Sequence, residues 1–180
     1  MLSNNKLWFI LMSLILILLP LKLVWDQEKI LENGKTYHFK LIPFDPTDPF
    51  RGKFITLRFA ENQVYNSNDI SFKIGEKAVA ILSESNNYAQ IIDLQKTAPN
   101  IGNNYLYVII KSIDNQQITF DLPFNKYYFN ESKTDSINNI LQSSLENINA
   151  DNYAVVIVKN GMGTLQTIYI NNKNIKDYFK

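Results

Sequence analysis

Pro43, Pro46 and Pro49 recur at every third position of Leu41-Ile-Pro-Phe-Asp-Pro-Thr-Asp-Pro-Phe-Arg-Gly-Lys-Phe-Ile-Thr-Leu-Arg-Phe59. Each proline fixes its own φ and pushes the residue before it out of the helical region. The stretch from Pro43 to Phe50 is therefore extended or turn-like, whatever surrounds it. Asp45 and Asp48 precede two of the prolines and favour turn initiation. Arg51-Gly52 closes the loop, glycine supplying any positive φ the reversal needs. The residues that follow are rich in β-formers. Ile55, Leu57 and Phe59 share one strand face, which is predicted to meet the core, and Phe54, Thr56 and Arg58 share the other.

The apolar run from Leu7 to Trp25 is the next strongest constraint. Its 19 positions would extend about 28 Å as a helix, close to the thickness of a bilayer's hydrocarbon core. Trp8 and Trp25 lie near its ends, where indoles favour the membrane interface, and Lys22 can snorkel to headgroups. A cleaved signal peptide is the competing expectation. It would need small residues at a cleavage site, and Lys-Leu-Val-Trp-Asp-Gln-Glu has no such pattern. The expected organisation is a tail over 1–6, a transmembrane anchor over 7–25, a connector over 26–35 and a β-rich domain over 36–180. Counting lysines on either side does not fix orientation. A short tail before a folded domain is the arrangement of a signal anchor, so the domain is expected outside the cytoplasm.

The domain reads as α+β. Strands are predicted over 36–42, 54–60, 77–82, 89–94, 105–110, 118–122, 153–158 and 164–170. Turn signals at Asn66–Asp69, Ser83–Asn87, Asp114-Asn115 and Asn160-Gly161 separate them, as in an antiparallel sheet. The run 105–110 is expected to be a central strand. Strands 36–42 and 54–60 form either a hairpin across the proline loop or two strands parted by a corner. Between Lys133 and Ile148 the period changes. Ile137, Ile140, Leu141, Leu145 and Ile148 fall on one face of a helix, which needs a sheet to bury against. Ser132 or Thr134 can cap it, and Asp135 suits its first turn. The tail Ile175–Phe179 is expected to dock back on the domain.

Composition narrows function mainly by exclusion. Eighteen Lys+Arg against 17 Asp+Glu give a formal charge of +1, with no basic surplus for nucleic acid. The absence of cysteine removes disulfides, thiolate metal sites, thiol nucleophiles and a lipidated cysteine. His38 is the only histidine. It is expected to face solvent from its strand, and no nucleophile elbow exists to partner it. No metal site or cofactor is predicted.

Several stretches resemble the GDYXXLXY family of bacterial membrane-anchored proteins. Gly52-Lys-Phe-Ile-Thr-Leu-Arg-Phe59 is similar to the signature that names the family, with Gly52, Phe54, Leu57 and Phe59 at its motif positions. Asp48-Pro-Phe-Arg51 looks like the family's lead-in. Leu122–Glu131 and Ile168–Phe179 are similar as well. Lys53 stands where the signature has aspartate, which removes a carboxylate. Phe54 and Phe59 replace tyrosines, keeping the ring and losing the hydroxyl. The resemblance implies a cell-envelope architecture and supplies no activity.

The expected function is a non-enzymatic protein-interaction or assembly module on the membrane, partnered by another membrane or envelope protein. Its contact edge is the loop carrying Phe44, Asp45, Asp48, Phe50, Arg51 and Gly52. A proline-stiffened loop loses little entropy on docking, and the two phenylalanines can serve as anchors. A structural reading of the same loop, with aspartates accepting backbone N–H bonds and Arg51 tying them together, stands beside it. The alternative function is binding of a small ligand or envelope polymer through Tyr127, Tyr128 and the carboxylates. A hydrolase using Asp45 and Asp48 is the remote third reading.

Overall fold

A computed structural model of the chain describes residues 4–42, 54–65, 71–99, 104–128, 134–147 and 150–178. Helix α1 (Asn4–Asn33) leads into β1 (Lys35–Lys40), β2 (Phe54–Thr56), β3 (Gln63–Tyr65), β4 (Lys77–Ser85), β5 (Tyr88–Gln95), β6 (Tyr105–Asp114), β7 (Gln117–Asp121) and β8 (Lys126–Tyr128). Helix α2 (Thr134–Leu145), β9 (Tyr153–Lys159), β10 (Met162–Ile170), β11 (Lys173–Asn174) and a 3-10 turn, Ile175–Tyr178, complete the chain.

The strands form a four-stranded sheet in the order β1-β9-β10-β11, a five-stranded sheet in the order β3-β7-β6-β4-β5, and a β2-β8 pair. Every strand ladder among the described residues is antiparallel. The expected mainly antiparallel, β-rich α+β domain is therefore the fold observed. Strand β6 is central in its sheet, as its apolar density predicts.

Asparagine closes the hairpins. Asn86-Asn87, Asn115-Gln116, Asn160-Gly161 and Asn171-Asn172 all hold positive φ at both positions. This is the turn geometry whose twist matches paired strands, and asparagine tolerates it better than other residues with a β-carbon. Gly161 has a second reason to be glycine. A β-carbon there would lie 2.5 Å from the Tyr107 ring and 2.6 Å from the Tyr105 ring. The turn sits hard against β6, and the Tyr107 N–H donates to the Gly161 carbonyl at 2.9 Å.

One continuous core joins both larger sheets. Alternation places Tyr37 and Phe39 of β1, Ala154, Val156 and Val158 of β9, Ala78, Ala80 and Leu82 of β4, and Leu106, Val108 and Ile110 of β6 within it. Leu141 brings α2 into the same core, with Ile140 and Leu145 packed at its margin. Ile137 and Ile148 of the predicted helical face lie outside the described side chains. Ile55, Leu57 and Phe59 are buried as predicted. The hairpin expected between 36–42 and 54–60 is reduced to a short contact. Leu41 bridges Phe59, whereas β2 takes β8 as its partner. The corner alternative describes this chain better. The tail docks through buried Ile175 and through the Tyr178 hydroxyl, which donates to the Ile170 carbonyl at 3.1 Å.

Helix α1 is 30 residues long and runs through the stretch expected to be a connector. Among the described residues, no helix is long and apolar enough to cross a membrane. The transmembrane helix expected over 7–25 is thus not supported by the fold. The side chains of Leu7 and Leu23 lie outside the description, which leaves only Trp8–Lys22 as an unbroken run. The helix ends against the four-stranded sheet. Ile30 is buried, and the Gly34 N–H donates to the Ile30 carbonyl at 2.9 Å.

Candidate functional site

The proline loop lies outside the described residues, so Phe44, Asp45, Asp48, Phe50, Arg51 and Gly52 have no described position. Its base does. The Ile42 N–H donates to the Arg58 carbonyl at 3.0 Å, and the Ala60 N–H donates to the Lys40 carbonyl at 3.0 Å. Together with the Leu41–Phe59 bridge, these bonds join the end of β1 to the segment after β2, while β2 itself, next after the loop, is held by β8. Beneath them Phe39, Phe59 and Phe124 pack as a triad, with centroid separations of 5.9, 5.0 and 5.4 Å.

The other motif residues divide between packing and surface. Leu57 and Phe59 are core residues, whereas Phe54 is half-buried. The Phe54 ring sits 5.6 Å from Tyr128, and the Lys126 ammonium lies 4.9 Å from its centroid. Tyr127 and Tyr128 do not form one platform. Tyr127 packs against the core, where burial raises its hydroxyl pKa. Tyr128 is exposed, because adjacent strand residues point to opposite sides.

Glu61, at the foot of the loop, is an unexpected titratable group. Its Oε2 is buried without a hydrogen-bond partner among the described residues. Burial pushes its carboxyl up to about 7, against the opposing pull of its own backbone and the Lys40 charge. The folded chain therefore holds a proton that the unfolded chain releases between about pH 4.5 and 7. Stability falls as pH rises through that window. Because the side chain is partly exposed, solvent screening leaves an effect on the order of 1 kcal/mol. Glu61→Gln is expected to flatten this slope and to melt higher than the parent above pH 7. Thermal melts at pH 5 and pH 8 check it, and an unchanged slope would place the proton elsewhere.

A second surface emerges on the outer side of the four-stranded sheet, where β1 and β9 lie beside the tip of the β4–β5 hairpin. Thr36, His38, Glu84, Asn87, Tyr88, Asp151, Tyr153 and Asn172 line a groove of about 350 Å³. Tyr153 is its aromatic centre. Tyr169 stacks on it at 4.9 Å and 8°, His38 tilts against it at 4.9 Å, and Tyr88 meets it edge-on at 6.1 Å. His38 is thus half-buried against a ring, not simply facing solvent. The Tyr88 hydroxyl donates to Asp151 Oδ1. Burial first, and then this bond and the Asp151 charge, raise the Tyr88 pKa. The Tyr153 pKa is also raised, chiefly by burial. Both side chains remain O–H donors at neutral pH.

Asn152, only 3% exposed, fixes this end of the sheet. Its Oδ1 accepts from Ser144 Oγ at 2.7 Å and from the Asn171 N–H at 3.0 Å. Its Nδ2 donates to the Ser144 carbonyl at 3.1 Å, and its own carbonyl accepts from the Leu41 N–H at 2.9 Å. A buried amide satisfied this fully is costly to remove. It ties α2, the end of β1 and the Asn171 turn together, with Asp151 presented beside it. Lys40 links the groove to the loop base. Its ammonium is 5.9 Å from the Tyr88 centroid, and its carbonyl takes the Ala60 bond.

Sequence reasoning passed over this groove because its residues come from four separate segments, none with a motif. Asn-Asn turns on either side of alternating strands were the available signal. Among the described residues no cluster of histidine, aspartate and glutamate could hold a metal ion.

A family model described as GDYXXLXY protein matches residues 16–168. No curated protein and no solved structure matches the chain.

Proposed function

The chain belongs to the GDYXXLXY family, and from that premise we propose that it is a membrane-anchored, extracytoplasmic domain of the bacterial cell envelope, acting as a non-enzymatic protein-interaction or assembly module. The observation that carries the reading is the surface of α1. Trp8, Phe9, Ile10, Leu11 and Met12 are exposed, as are Leu14 through Leu19. A helix that is apolar on every side has no face suited to water and needs an apolar surround. A bilayer meets that need, with Trp8 and Trp25 at the interfaces and Lys22 reaching headgroups. The helix then passes into the domain through Ile30 and Gly34, which couples anchor to sheet.

The contact edge is the Pro43–Gly52 loop. Support comes from what flanks it: Ile42 before it bonds to Arg58, and β2 after it pairs with β8. A loop held this way spends little entropy on docking. Arg51 orients the loop, and Phe44 and Phe50 supply anchoring area. The partner is another membrane or envelope protein.

Co-purification of the full-length chain in mild detergent, parent beside Arg51→Ala, tests the reading. The expected result is a partner retained by the parent and lost by a variant with an unchanged melting temperature. Absence of any partner from the parent, or equal retention by both, would sink it.

A further inference from the structure

We infer that the groove centred on Tyr153 binds a neutral saccharide. Three observations converge on that chemistry. The first is shape. The half-exposed rings of His38, Tyr88 and Tyr153 meet at fixed angles, giving C–H and π surface for the apolar face of a pyranose ring. The volume of about 350 Å³ is at the small end of ligand pockets, and the rim residues Thr36, Glu84, Asn87 and Asn172 are exposed. An open groove of this size suits a short segment of a chain that extends beyond it.

The second is the polar set. Asn87 and Asn172 each bring an amide, with both donors and acceptors, from a turn locked at φ 70° and 63°. Thr36 adds a hydroxyl, His38 an imidazole and Asp151 a carboxylate. Vicinal hydroxyls, each both donor and acceptor, match such a set, whereas a purely apolar ligand would leave it unpaired.

The third is charge. Glu84 is paired with Lys35 at 2.5 Å. Asp151 accepts from Tyr88, and the Lys40 ammonium stands over that same tyrosine ring. Each carboxylate already has a partner, Glu84 the Lys35 ammonium and Asp151 the Tyr88 hydroxyl, with Lys40 nearby, so the groove favours neither a polyanion nor a polycation.

This goes beyond the protein-interaction reading and fails separately from it. Arg51→Ala is expected to leave saccharide binding intact, and Tyr153→Ala to leave partner retention intact.

The test uses the full chain in lauryldimethylamine oxide, a detergent without a sugar headgroup. Chitotriose, maltotriose and cellotriose are titrated against tyrosine fluorescence, beside glucosamine trimer and galacturonic acid trimer. Saturable binding of at least one neutral trisaccharide, tighter than either charged trimer, is the expected result. Tyr153→Ala should weaken it about tenfold, and Asn87→Gly, which keeps the turn's φ and removes the amide, about threefold. Asn87→Gly carries the test if Tyr153→Ala does not fold. The inference is overturned if no neutral trisaccharide binds the parent, if a charged trimer binds tighter, or if folded variants bind as the parent does.

Discussion

Phe39→Ala is expected to destabilise the domain by about 3–5 kcal/mol, the usual cost of emptying a closed aromatic site. The side chain is 0% exposed and touches Phe59 at 5.9 Å and Phe124 at 5.0 Å. Three rings from β1, the segment after β2 and the β7–β8 connection meet there, so the cavity cannot be refilled by one shift. For a domain whose total stability is roughly 5–15 kcal/mol, the loss is a large fraction. It also undercuts the loop, because Phe59 is the bridge partner of Leu41. Phe54→Ala is the control. That ring is half-buried at the surface, and its loss should cost no more than about 1 kcal/mol. Denaturant unfolding of the three chains measures both. Equal costs for the two phenylalanines would mean that Phe39 does not sit in a closed aromatic core.

Gly34→Ala carries the second largest effect, about 2–3 kcal/mol. An added β-carbon would meet Ile157 Cγ2, the Ile30 carbonyl oxygen at 2.5 Å and the Val158 carbonyl oxygen at 3.0 Å. Two of these are backbone atoms that cannot rotate away. The helix end must lift from β9, and Ile30 loses its burial. The expected sign is faster proteolysis between Glu32 and Lys35 together with a lower melting temperature. Unchanged proteolysis would show that α1 is not seated on the sheet through this glycine.

The period-2 alternation of β1 was readable because that strand has one face in the core, and β4, β6 and β9 were readable as runs of β-formers between turn signals. So was α2, whose apolar residues fall at helical spacing. Asn160-Gly161 announced its hairpin for the same local reason. What escaped was set by distance along the chain. Gln63–Tyr65 has too few residues to display a period, and pairs only because β7 offers an edge. Pairing of β2 with β8 joins residues about 70 apart, and nothing local marks it. Tyr127 and Tyr128, which alternation puts on opposite faces of a strand, were the aromatic contacts of the alternative ligand reading. Strand geometry parted them, and the aromatic cluster formed instead around Tyr153 from residues of β1, β5, β9 and β10. Asn152 reads as an ordinary loop residue, and only the fold reveals it as a buried hydrogen-bond hub.

The proposed arrangement holds the domain outside the cytoplasm on an apolar helix. The chain has no cysteine, so one introduced thiol reports without background. Gln90→Cys, at an exposed position of β5, should react with a membrane-impermeant maleimide in intact cells, and the labelled chain should stay in the membrane pellet after alkaline extraction. Labelling only after lysis, or release into the alkaline supernatant, would contradict the account.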